Sequence, residues 1–263
     1  MNPVLRTTLY GFAGLALIAG FLLFLGASDT DEWFSWTIQP PLSAAALGAF
    51  YWSAFALLLA GARATSWAGV RPIAYPVLVI AVVLLAVTLV HLDRFDLDGL
   101  FGVFWLCAYI AAPPLLAYGI FLERRAGPGA EAGRPLPAGL RAAIAAEGVV
   151  MLAAAAVMLL APDTAIDLWP WTLTPLVSRA LGAFTLGVAL VGLMVARENR
   201  LVLFSGSAIA YTALGALQLL AVALHEPDLG GDRLANALYL AFLAAILATG
   251  IYGSIAARAL SRS

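Results

Sequence analysis

Long apolar runs broken by short polar stretches organise this chain. Eight such runs occur, at about 8–26, 42–60, 72–91, 99–122, 139–161, 175–195, 201–224 and 233–256. A hydrocarbon core about 30 Å thick takes roughly 20 helical residues at 1.5 Å each, so every run is long enough to cross one. The runs consist of Ala, Leu, Val, Ile and Phe with interspersed Gly, and they show no alternation of period two. The pattern predicts helices and not a β-barrel, since a helix satisfies its own backbone groups inside lipid. The run at 8–26 precedes an acidic loop without a small-residue cleavage site, so it reads as a first span and not as a leader.

Composition sharpens that picture. The chain has 263 residues, 63% hydrophobic and 11% charged, against about 25% charged in a soluble domain. Such a chain cannot coat a water-soluble globule, which excludes a soluble enzyme domain, a disordered chain and a basic nucleic-acid binder. The 14 cations are all Arg, a usage that points to GC-rich coding and a bacterial source. With the N-terminus taken as cytoplasmic, 11 of the 14 Arg fall on the cytoplasmic side, leaving Arg94, Arg179 and Arg233 opposite. Most acids fall on the opposite side, from Asp29, Asp31 and Glu32 to Asp228 and Asp232; Glu123, Glu131 and Glu198 lie inside. Arg bias sets orientation, so both termini are expected in the cytoplasm of a bacterial cell, with the chain in its cytoplasmic membrane. The single cysteine, Cys107, permits no intrachain disulfide and reads as a small packed side chain.

The two halves resemble each other. Trp36-Thr37-Ile38-Gln39-Pro40 parallels Trp171-Thr172-Leu173-Thr174-Pro175, Ala46 to Phe50 parallels Ala180 to Phe184, and His91 parallels His225, at offsets of 131 to 136 residues. An ordered series that includes Trp, Pro and both histidines points to duplication. The expected fold is therefore all-α and polytopic, with eight transmembrane helices in two tandem parallel four-helix repeats related by a pseudo-two-fold along the membrane normal. The repeats span 1–126 and 134–263, with a cytoplasmic linker at 127–133.

Four features carry candidate chemistry. The first is the outer loop of each unit, with Trp33, Trp36 and Pro40 in one and Trp169, Trp171 and Pro175 in the other. These tryptophans read either as an interfacial belt or as a segment folded back over a pocket. The second is the histidine pair, each followed by acids: His91 by Asp93, His225 by Asp228. A helix C-terminus and nearby carboxylates favour protonated His; the alternatives are a cation site, although the spacing matches no standard zinc pattern, or bis-histidine haem. The third is the intramembrane pair Glu147 and Gln218; Glu147 breaks the repeat, with Ala13 at the aligned position. The fourth is Arg179, opposite Ala45, either paired locally with Asp163 or Asp167 or anchoring an anion.

No nucleotide loop, zincin motif or paired intramembrane carboxylates are present, so neither enzymatic activity nor a resident cofactor or metal is expected. The leading expectation is a membrane protein that binds or transports a small molecule, lipid or ion at an outward-facing site between the repeats. The alternatives are a non-catalytic subunit docked on a membrane-protein partner and, more weakly, a haem redox protein.

Overall fold

The computed structural model describes residues 1–125, 127, 133–230 and 232–260; Glu131, Arg262 and most of the expected linker lie outside the described residues. The protein is all-helical. Its helices are α1 (Pro3–Leu25), α2 (Thr30–Trp33), α3 (Pro41–Arg63), α4 (Trp67–Val90), α5 (Leu100–Arg125), α6 (Ala138–Leu160), α7 (Pro162–Leu168), α8 (Pro175–Glu198), α9 (Leu201–Leu224) and α10 (Arg233–Leu260). Short 3-10 turns at Leu92–Arg94 and Glu226–Asp228 follow α4 and α9. Eight of these helices, all but α2 and α7, are long and apolar enough to span a membrane.

Local chemistry sets the helix starts. Asn2 accepts the amide of Val4 at 2.8 Å ahead of Pro3, and Thr174 accepts the amide of Val177 at 3.2 Å ahead of Pro175. Ser66 caps α4 through the amide of Gly69. Each cap satisfies an N–H that the first turn leaves unpaired, and proline at the first position lacks that N–H. α4 keeps Pro72 and Pro76 inside its span, and α5 keeps Pro113 and Pro114, as membrane helices do when neighbouring helices support the freed carbonyls.

α3 and α8 form the centre of the bundle, and α5 and α10 form its rim. Within the apolar windows, 72% of α3 and 67% of α8 is buried, against 17% of α5 and 22% of α10. Small residues let the central helices approach their neighbours: a side chain at Gly48 would strike the backbone of Phe24 on α1, and one at Gly182 would strike Met158 on α6. Where α3 and α8 meet, Phe50 and Phe184 stack with centroids 5.5 Å apart and planes 22° from parallel.

α9 packs most extensively on α10, and further extensive contacts join one half of the chain to the other. α3 packs on α9 more extensively than on α4, and α8 packs on α4 more extensively than on α9. Ser53 on α3 donates to the carbonyl of Ala210 on α9 at 2.8 Å, and the amide of Leu42 at the start of α3 donates to Asp228 beyond α9 at 2.9 Å. α4 and α8 are tied at both ends. At one end Arg71 forms a two-point contact with Glu198, at 2.8 and 3.0 Å; at the other Arg179 meets His91. Trp171, just ahead of α8, donates to Ser43 at the start of α3 at 2.9 Å, so both helices begin at one end of the bundle. We call that end the histidine face and the opposite one the terminal face.

Candidate functional site

Two apolar cavities lie off the centre, one in each half of the chain. The first, about 220 Å³, lies among α1, α3, α4 and α5, with Phe184 of α8 closing its inner wall. Its α5 lining runs from Phe101 to Leu116, fifteen residues and so ~22 Å along the helix. Ile18, Phe101 and Phe104 on its rim are exposed, so the cavity opens sideways between α1 and α5. Its lining is apolar apart from Ser35, Tyr51, Trp105 and Tyr109. Tyr51 and Tyr109 share a hydrogen bond of 2.7 Å between their hydroxyls. A pair joined by one hydrogen leaves the second phenol hydrogen free to donate elsewhere. Toward the histidine face, Phe34, Trp36, Phe95 and Trp105 close the space with edge and tilted ring contacts 4.6 to 5.7 Å apart.

The second cavity, about 200 Å³, lies among α6, α8, α9 and α10, with Phe50 of α3 on its inner wall. Trp169, Trp171 and Tyr239 roof it, each ring 5.3 to 5.5 Å from the other two. Gln218 reaches into this roof: its Nε2 donates to the carbonyl of Ala46 at 3.0 Å, and its Oε1 accepts from Tyr239 at 3.3 Å. The indole N–H of Trp169 has no partner. One helical turn below the lining residues Val150, Thr185, Leu214 and Ile246 lie Glu147, Val188, Tyr211 and Thr249. Thr249 donates to Oε1 of Glu147 at 2.6 Å, and Tyr211 donates to the carbonyl of Val188 at 3.4 Å. These groups lie outside the cavity's lining and form a layer one turn beneath it, which we call its floor.

The residues read from sequence fall into separate places. Trp33 is exposed, whereas Trp36 and Trp171 are buried at 8% and 2% exposure, so the inner tryptophan of each loop turns into the bundle and not toward headgroups. Pro40 precedes α3, which begins on Pro41, and Pro175 opens α8; the extra residue of the first half therefore lies in its loop. Trp169, Trp171 and Gln218 share the second cavity, and Glu147 lies at its floor, separated from Gln218 by the cavity's depth. The burial patterns of α1 and α6 repeat at an offset of 135 residues, which sets Phe12, and not Ala13, opposite Glu147.

Arg179 does not pair with Asp163 or Asp167. It bridges two helix ends, with Nη1 donating to Nε2 of His91 at 2.7 Å and Nε donating to the carbonyl of Leu159 at 3.4 Å. A guanidinium there complements the partial negative charge of the α4 and α6 C-termini. It also reverses the protonation expected for His91: burial first, then the Arg179 charge, holds the imidazole below its ordinary pKa, so it is neutral with its proton on Nδ1. Asp93 pairs only with its exposed neighbour Arg94, at 3.2 Å. His225 ends α9 and is half-buried, beside the Asp228 turn that caps α3. The two imidazoles thus belong to different helix pairs, and Nε2 of His91 is already engaged. No group of three or more metal-binding side chains occurs among the described residues. Cys107 is exposed on α5 and not packed.

Sequence reasoning missed Tyr51, Tyr109, Trp105, Tyr239 and Thr249. Polar atoms at regular depth inside apolar spans were the available signal for the two phenols and the threonine. No known family, curated protein or solved structure matches this chain.

Proposed function

We propose that this protein binds an elongated lipophilic molecule taken laterally from the bilayer, with the first cavity as the principal site. The observation that carries this reading is the slot between α1 and α5: about 220 Å³, apolar for nearly all its lining, and bordered by exposed Ile18, Phe101 and Phe104. A hydrocarbon chain gains dispersion contacts in such a slot with no polar group stranded. The Tyr51–Tyr109 pair supplies a hydrogen-bond donor partway along it, suited to a carbonyl-type acceptor on the ligand. The role is binding or carriage, not catalysis.

We read the frame around the site as two tandem four-helix units about a pseudo-two-fold, in a bacterial cytoplasmic membrane with both termini cytoplasmic. Several observations support the duplication. The order long, short, long, long, 3-10, long occurs twice along the chain, and both α4 and α9 end on a histidine followed by a 3-10 turn. Ser35 and Pro170 each accept a backbone bond from the loop after that turn, from Asp96 and Gly230. Phe50 stacks on Phe184, its own counterpart. The Arg bias supports the orientation.

A diazirine-bearing fatty acid tests the site in proteoliposomes. Light-induced adducts are expected on α1 and α5 positions that line the cavity, and Ala108→Trp, which fills it, should reduce them at least tenfold. Adducts spread evenly over the outer surfaces of α5 and α10, and indifferent to Ala108→Trp, would refute the reading.

A further inference from the structure

We propose that Glu147 is a proton-binding site at the floor of the second cavity, holding its carboxyl as a neutral acid within the membrane. This inference does not depend on a ligand in the first cavity. Glu147 is 7% exposed and lies on α6 nine residues from the nearer helix end, so ~14 Å along the axis. Its Oε1 accepts from Thr249, and its Oε2 is buried with no partner. A carboxylate left with one neutral donor in an apolar span is costly, and taking up a proton removes that cost.

The surrounding charges do not compensate it. Among the described residues Glu147 forms no ion pair. On its own helix, Arg141 lies six residues away and donates from Nε to the carbonyl of Ala196 on α8 at 2.9 Å. From α9 the facing titratable group is the Tyr211 phenol, which lies within electrostatic reach and whose hydroxyl is directed to Val188. From α10 the facing group is Thr249. The other cations on packed helices are Arg179 and Arg197 on α8, Arg200 before α9, and Arg233 and Arg258 on α10; Arg179 and Arg233 lie at the histidine face, beyond the cavity. Arg197 and Arg258 each lie nine residues beyond the floor positions Val188 and Thr249 on their helices, ~14 Å along the axis. α7 contributes Asp163 and Asp167 at the far end of α6.

The position of the acid matters as much as its isolation. All four helices that line the second cavity contribute their next turn to the layer that holds the acid, one turn beneath the lining. The proton resides on Oε2, the oxygen without a donor, which leaves Oε1 to Thr249.

Infrared difference spectroscopy on the full chain in liposomes, titrated with pH, tests this. A protonated-carboxyl C=O band is expected to persist at neutral pH and to vanish in Glu147→Gln, which is isosteric with the neutral acid. Dicyclohexylcarbodiimide, a lipophilic reagent for protonated carboxyls, should add to Glu147 at neutral pH, and sodium ions should not protect it. Thr249→Val, which removes the one donor to the carboxylate, should extend the acid band to still higher pH. Loss of the Glu147 band by about pH 5 would overturn the proposal. So would protection of Glu147 by sodium, which would make the site a metal-cation site. Failure of the hydrocarbon probe in the first cavity would leave these outcomes unchanged.

Discussion

The first cavity is apolar at its floor and polar at mid-depth, and the second is the reverse. Phe12 and Val77 line the lower part of the first cavity, where the second half places Glu147 and Tyr211. Tyr51 and Tyr109 sit where the second half has Thr185 and Leu243. Each cavity also borrows one phenylalanine from the opposite half, Phe184 in the first and Phe50 in the second. On the two-unit reading proposed above, the frame is shared and the chemistry is not. Displaced polar groups would then suit the proposed occupants, a long apolar chain in one half and a bound proton in the other.

The largest effect should come from moving the acid between cavities. Phe12→Glu puts a carboxyl into the first floor with no threonine partner and should destabilise the protein by about 3 kcal/mol, the scale for a charge at mid-membrane. Thermal unfolding in detergent reads this out. A variant as stable as the parent would show that the first floor already accommodates polarity and would erase the contrast.

A smaller effect should follow from the double variant Tyr51→Phe with Tyr109→Phe, which removes both hydroxyls at the cost of one hydrogen bond, about 1 kcal/mol. Fatty-acid adducts should persist in this variant, while capture of a lipid-soluble ketone analogue should weaken about fivefold. Equal loss of both probes would mean that the phenols shape the slot and do not recognise an acceptor.

The smallest concerns the histidines. Because burial and Arg179 hold His91 below its ordinary value, the folded protein takes up that proton later than the unfolded chain. Stability conferred by the Arg179–His91 contact is therefore complete above the ordinary histidine pKa of about 6.5 and is lost as pH falls through the lowered value. The melting temperature should drop between about pH 7.5 and about pH 5.5. His91→Gln, which keeps a hydrogen-bond acceptor, should flatten part of that drop. An unchanged slope would place the acid sensitivity elsewhere.

The eight spans were legible because a lipid-crossing helix must be long and apolar, and that requirement is local in sequence. The cavities were not legible, because they arise from which faces meet. Trp36 and Trp171 illustrate the limit: Trp beside Pro ahead of a span suits a headgroup belt, and only tertiary packing turns both rings inward. Arg179 illustrates another. Its nearest acids in sequence suggested a local pair, yet its partner lies 88 residues away on a helix of the other half. Glu147 stood out as a lone acid in an apolar run, but nothing in the sequence ties it to Thr249, its donor, which lies 102 residues away in the last span.

The exchange of helix partners between the halves has a consequence for how this molecule is made. A ribosome that has finished α5 has released α3 and α4 with α1 already present to pack on α3, while α9, the next partner of α3, and α8, the main partner of α4, do not yet exist. Lipid must cover those small-residue faces in the interval, and Arg71 must wait on the membrane surface for Glu198. The nascent first half thus has its α1–α3 packing in hand, and the outer faces of α3 and α4 find their partners only when the late helices arrive.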